Sequence, residues 1–189
     1  MKYFIIGFNA SGKQQVMEDL TSLGVKTGKI FRSIEKIPDD LYSLSEVVYS
    51  REDITNIFEN KSYIFLKEHK HSSESFYEGL SFYEYDNNDV FMITPEQFNL
   101  IPKFDKDVVF IWLDANNNQR RIRFLTEKRL YNFQHQESRE HQDVQDFINR
   151  IGDNQYIYFV NEEPSRISAI VYSLIKYPEL LDIYIKRFK

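Results

Sequence analysis

The chain has 189 residues, a formal net charge of −5, 42% hydrophobic and 16% aromatic residues, and no cysteine. That length and apolar content predict one globular domain with a sizeable core. The absence of cysteine excludes disulfides, cysteine-based zinc sites and thiol nucleophiles, and suits a reducing, cytoplasmic setting. The acidic balance argues against a protein that coats nucleic acid, and no apolar run approaches the roughly 18 residues of a membrane span. The N-terminus enters a strand at once, so no signal peptide is expected.

Residues 2–7 read as a buried strand, followed by the loop Gly7-Phe8-Asn9-Ala10-Ser11-Gly12-Lys13. A helix is expected over 12–23, with Val16, Leu20 and Leu23 at helical spacing and Gly24 where a C-cap belongs. A short strand at 29–34 and a loop at 35–46 come next. Ser50 with Glu52, Asp53, Ile54 and Ile57 predicts a capped helix over 51–59. Strands are expected near 62–67 and 75–85, a turn at Asp86-Asn87-Asn88-Asp89, and a strand at Val90–Ile93. Thr94-Pro95-Glu96 opens a helix, with threonine as N-cap and proline at the first helical position. Val108–Leu113 is the clearest buried strand and ends at Asp114; a basic helix from Asn116 to about Arg129 and a polar helix over 137–151 follow. Tyr156–Val160 is a strand ending at Asn161, Glu163–Lys176 an amphipathic helix and 179–187 a last short helix.

Four strands (2–7, 90–93, 108–113 and 156–160) are apolar enough for burial on both faces and alternate with helices, which predicts an α/β fold with a parallel sheet flanked by helices. In such sheets ligands bind beyond the carboxyl ends of the strands. Gly7, Thr94, Asp114 and Asn161 all fall there.

The first of these ends carries the most specific pattern. Strand, Gly-x4-Gly-Lys, helix is the layout of a phosphate-binding P-loop, in which backbone N–H groups and a helix N-terminus cradle a polyphosphate. Gly7, Asn9, Ala10, Ser11, Gly12 and Lys13 form the candidate cradle, with Lys13 reaching the β- and γ-phosphates. Gln14 stands where a serine or threonine would ligate Mg²⁺. Three readings stay open: Gln14 holds the metal through its amide or a water, Ser11 or an acidic group compensates, or the site binds nucleotide poorly and has lost turnover.

Asp114 is a candidate for orienting Mg²⁺ through a water, and equally a cap of the helix that follows. Arg120, Arg121, Arg123 and Arg129 offer a guanidinium clamp for phosphoryl oxygens; the alternatives are a solvated basic face or, less favoured, a nucleic-acid contact. Thr94 and Glu96 face the same side of the sheet and read first as helix caps. His69 and His71 would share a strand face but lack further ligands, so no metal site is expected there.

Several segments in order make the chain resemble guanylate kinases, P-loop enzymes that move the ATP γ-phosphoryl group to GMP or dGMP. The resemblance runs through Val48-Tyr49-Ser50-Arg51-Glu52-Asp53-Ile54, Ile57-Phe58-Glu59-Asn60-Lys61-Ser62-Tyr63-Ile64, Phe76-Tyr77-Glu78-Gly79, Val108–Leu113 and Tyr156–Glu163. It implies a single domain over 1–189, with a P-loop core (1–29, 86–115 and 150–189), an acceptor-binding region (30–85) and a helical lid (116–140). It further implies that Arg32, Ser33, Tyr77, Thr94 and Arg129 serve the acceptor, that Asn161 borders the adenine pocket, and that Lys13, Arg120, Arg121 and Arg123 act in catalysis with ATP and Mg²⁺.

The chain departs from the family at Gln14, at Phe31-Arg32-Ser33-Ile34-Glu35 where only Arg32 and Ser33 carry over, near Phe65 where the guanine-reading acid belongs, and at Ile93-Thr94-Pro95-Glu96, which lacks the family's aspartates. The implied function is ATP-dependent phosphoryl transfer to a nucleoside monophosphate or related acceptor, of unspecified base. The alternatives are an impaired module that binds nucleotide or protein, and a kinase for an unusual acceptor such as a modified base within DNA.

Overall fold

The structure, a computed structural model, describes residues 1–8, 10–32, 46–48, 50–71, 74–102, 107–115, 119–120, 142, 144–151, 155–160 and 163–185. In chain order these form β1 (Lys2–Gly7), α1 (Lys13–Ser22), β2 (Ile30–Arg32), β3 (Glu46–Val48), α2 (Arg51–Glu59), β4 (Tyr63–His71), β5 (Glu74–Ser81), α3 (Phe82–Asn87), β6 (Val90–Ile93), α4 (Pro95–Leu100), β7 (Val108–Asp114) and β8 (Gln155–Val160). The long helix Pro164–Lys176, a 3-10 turn at Pro178–Leu180 and the short helix Leu181–Tyr184 follow. Residues 144–151 are also helical.

The four apolar strands make one parallel sheet in the order β6-β1-β7-β8. Alternation along each strand sends side chains to two different cores. Tyr3, Ile5, Ile111 and Leu113 pack against Val16, Met17 and Leu20 of α1 and Ile167, Val171 and Leu174 of the long helix. A hydrogen bond from Ser168 Oγ to Asp19 Oδ2 (2.7 Å) ties those two helices together. Phe4, Ile6, Phe110 and Trp112 turn the other way, onto Phe98, Ile101, Phe147 and Ile151 and onto Ile30, Phe65 and Leu80 of the second sheet. Arg150 closes that side by donating to the carbonyls of Phe98, Asn99 and Ile101 at the end of α4.

The second sheet has the order β3-β2-β5-β4, with β2 parallel to β3 and antiparallel to β5, and β4 antiparallel to β5. Ile30, Phe65 and Leu80 face the parallel sheet. The same alternation puts Arg32, Lys67 and Glu78 on that inner face, in register across β2, β5 and β4. Tyr77 is on the outer face, edge-on to Phe58 of α2 with ring centroids 5.1 Å apart. Capping boxes start α2 (Ser50 with Asp53) and α4 (Thr94 with Gln97).

Several elements differ from the sequence expectation, among them β3 (Glu46–Val48), which it lacks, and the last helix, which begins as a 3-10 turn. The strand expected at 62–67 runs on to His71. The strand expected over 75–85 stops at Ser81, because the Ser81 hydroxyl accepts the Glu84 N–H (3.2 Å) and starts α3 inside the span expected as strand; α3 then runs into the expected turn as far as Asn87. Gly24 ends α1 as expected, at φ 79 just beyond Leu23, with its N–H on the Thr21 carbonyl and the Val25 N–H on that of Leu20. The loop expected at 35–46 and most of the helix expected from Asn116 to Arg129 lie outside the described residues. No helix among the described residues is long and apolar enough to cross a membrane.

Candidate functional site

The loop from β1 to α1 is shaped by one close backbone contact and two residues in left-handed conformation. A Cβ on Gly7 would lie 2.5 Å from the Leu113 carbonyl oxygen and 2.7 Å from Ser11 Oγ, so only glycine lets the loop rest on β7. Gly12 sits at φ 101 and Ala10 at φ 59, two left-handed turns that fold the chain back before the helix starts.

Lys13, the first residue of α1, is 7% exposed. Its Nζ donates to the carbonyls of Gly7 (2.6 Å) and Phe8 (2.7 Å), so the ammonium lies under its own loop. Ser11 is buried, and its hydroxyl has no hydrogen-bond partner among the described residues. The N-terminus of α1 has no side-chain cap and no acidic residue in its first turn, unlike α2 and α4. The side chains of its own cap and first turn therefore leave the positive end of its dipole unopposed.

Gln14 points along the helix, its Nε2 donating to Glu18 Oε1 (3.1 Å). Asp114 lies one residue past Leu113, the register partner of Gly7, so its carboxylate is at the loop end of the sheet. Tyr158 of β8 donates its hydroxyl to Asp114 Oδ2 at 2.7 Å. Burial, then the hydrogen bond to Asp114 and its charge, push the Tyr158 phenol well above its ordinary value. Arg120 is 3% exposed and lies with its guanidinium 5.0 Å from the centroid of the Phe8 ring, which is itself edge-on to Trp112 at 5.6 Å. Gly7, Ala10, Ser11, Gly12, Lys13, Asp114 and Arg120 therefore gather at one end of the parallel sheet. Asn9, Arg121, Arg123, Arg129 and Asn161 lie outside the described residues, as does Ser33.

The acceptor candidates are arranged differently. Arg32 and Tyr77 are on opposite faces of the second sheet, so the structure does not bring them together. Arg32 Nη2 lies 3.5 Å from Glu78 Oε2, and Tyr77 Oη donates to Glu68 Oε1 at 3.4 Å. Glu78, 5% exposed, is the hub of the inner face. His69 Nε2 approaches its Oε1 at 3.1 Å, and Gln97 Nε2 donates to the same oxygen at 3.2 Å. Gln97 also accepts the Thr94 N–H (2.8 Å), while Thr94 Oγ1 accepts the Gln97 N–H (3.2 Å), so the Thr94 hydroxyl serves as the cap of α4. Glu96 pairs with Lys67 at 2.6 Å.

Sequence reasoning missed Tyr158 and the hub role of Glu78. The signals were present: a tyrosine two residues inside a buried strand next to Asp114, and a carboxylate on a strand whose alternate positions are apolar. Neither becomes a site until the strands are in register.

No group of three or more histidine or acidic residues capable of holding a metal occurs among the described residues. A catalytic Mg²⁺ takes most of its ligands from phosphates and water and needs only one or two carboxylates. Asp114 beside the loop, and the Ser11 hydroxyl within it, which has no partner among the described residues, fit that donor set.

No family model matches the sequence, and no curated protein matches it. Among solved structures, the chain is similar to guanylate kinase from Anaplasma phagocytophilum at 12% sequence identity with a TM-score of 0.55, over 95% of this chain and 86% of that one. At that identity the likeness is one of architecture: a guanylate-kinase-like α/β fold with a parallel sheet flanked by helices.

Proposed function

We propose that this protein transfers a phosphoryl group from ATP to a nucleoside monophosphate or a related phosphate-bearing acceptor. The observation that carries the reading is the Gly7–Lys13 turn: a glycine that fits only against β7, two left-handed residues, an uncapped helix start and a buried lysine under the loop. A polyphosphate in the turn would take the backbone N–H groups and exchange its oxygens for the two carbonyls that hold Lys13 Nζ. Arg120 would stand beside the phosphates, with Arg121 and Arg123 close to it in sequence, to offset charge on the transferred group. Asp114 would accept hydrogen bonds from the metal's waters. Mg²⁺ held there would supply positive charge against the phosphates.

The acceptor belongs between the two sheets, on the inner face that carries Arg32, Lys67 and His69. Tyr77, on the outer face, contributes through its packing on α2. Positioning and charge stabilisation account for the chemistry without a covalent intermediate.

A second reading is an impaired module that keeps the fold and binds nucleotide or protein. Gln14 favours it, because its amide is engaged with Glu18 rather than turned to the loop. A coupled assay of ADP release from Mg²⁺-ATP, run across the ribo- and deoxynucleoside monophosphates, separates the two. Turnover with one acceptor, lost in Lys13→Ala, supports the kinase. ATP binding without turnover on any acceptor supports the module.

A further inference from the structure

We propose that Tyr158 is a positioning residue that fixes the Asp114 carboxylate for a divalent cation held with a nucleotide in the Gly7–Lys13 turn. The inference rests on the proposed nucleotide site and extends it to a residue in a neighbouring strand.

Asp114 ends β7, and at a strand end a carboxylate is free to turn about two side-chain torsions. Parallel pairing puts Trp112 opposite Tyr158 and Asp114 opposite Val160, so Asp114 and Tyr158 share one sheet face, two residues apart in register. The phenol hydroxyl spans that offset and donates to Oδ2 at 2.7 Å, the length of a charge-assisted bond. A carboxylate has about four lone-pair directions on two oxygens. One donor on Oδ2 sets the plane of the group and leaves Oδ1 to accept from a metal-bound water. Groups that orient metal-side ligands in this way are worth about 10- to 100-fold in metal affinity or activity. The arrangement also suits the position of Gln14: with its amide on Glu18, the carboxylate at the next strand end is the oxygen donor whose direction the fold controls.

The test is Mn²⁺ binding to the full chain in the presence of ADP, followed by electron paramagnetic resonance, with ADP affinity in metal-free buffer as the check on folding. Asp114→Asn and Tyr158→Phe are each expected to weaken Mn²⁺ binding about tenfold. The double variant is expected to be no weaker than Asp114→Asn alone, because the tyrosine acts through the aspartate. Metal-free ADP binding stays unchanged. If Tyr158→Phe unfolds, Tyr158→Met keeps the bulk without the hydroxyl and carries the same expectation. Weakening in Asp114→Asn with wild-type affinity in the tyrosine variants overturns the positioning role and leaves the metal reading intact. Wild-type affinity in Asp114→Asn overturns the metal reading, and the role of Tyr158 with it. Additive losses in the double variant also overturn the inference, since they show Tyr158 acting without Asp114.

Discussion

The two sheets handle charge in opposite ways. At the loop end of the parallel sheet, backbone conformation dominates: a glycine against β7, two left-handed residues, an uncapped helix start and a lysine resting on carbonyls. On the inner face of the second sheet, side chains pair with one another: Arg32 on Glu78 and Lys67 on Glu96, with the His69 ring also against Glu78 and Gln97 joining Glu78 to the cap of α4. A site built from backbone donors is ready for an anion. A face of matched charges must break ion pairs before it binds one, whereas the loop exchanges only the two carbonyls on Lys13 Nζ. One end is thus shaped by backbone and the other face by paired side chains, the two parts to which the proposed function assigns donor and acceptor.

Lys13→Ala sharpens that contrast most. It removes the one side-chain cation inside the loop, and turnover with Mg²⁺-ATP is expected to fall at least about 100-fold, with a thermal melt near that of the wild type. A loss of less than tenfold would place the donor phosphates elsewhere. Glu78→Ala comes next and strikes the other sheet. Removing one partner of a buried charge cluster costs about 3 kcal/mol, which urea unfolding reads directly. A near-neutral Glu78→Ala would show that the pairing on that face does not hold the sheet in place.

These two expectations also mark what is legible in the sequence. The Gly7–Lys13 turn, the four parallel strands and the capping boxes at Ser50 and Thr94 are local patterns, and each is set by residues close together in the chain. Glu78 and Tyr158 acquire roles only when strands far apart in sequence are placed in register: Glu78 meets Arg32 and Gln97, and Tyr158 meets Asp114. Arg32 and Tyr77, taken together as phosphate ligands from the order of family motifs, are parted by strand alternation. Sequence order does not reveal that parting without the pairing partner of β2.

Gly7→Ala tests the backbone half of the comparison. Its Cβ would meet the Leu113 carbonyl oxygen at 2.5 Å, so the loop must shift. Overpacking of this kind costs about 1–3 kcal/mol, and ATP affinity should fall with it. Equal affinity for ATP would mean that close approach of loop and strand is not needed. Gln14→Thr is a smaller change: it restores a hydroxyl at the metal side and should raise Mg²⁺-dependent turnover severalfold. A fall in turnover would show that the Gln14–Glu18 pair serves the site as it stands.

The smallest effect is one of pH. Burial, reinforced by the charge of Asp89, pushes the Tyr3 phenol from 10.0 up to about 12. The folded state then keeps a proton that the unfolded chain releases, so its contribution to stability is full below pH 10 and is lost as pH rises to about 12. Urea midpoints measured across that window should decline, and less steeply in Tyr3→Phe. A flat profile would remove Tyr3 as the cause.

The central claim is that the turn from Gly7 to Lys13 holds the phosphates of a nucleotide. Calorimetric titration of the full chain with ATP and Mg²⁺, in the wild type and in Lys13→Ala, tests it most directly. One saturable site is expected in the wild type and none in the variant. No binding in the wild type, or equal binding in both, would contradict it.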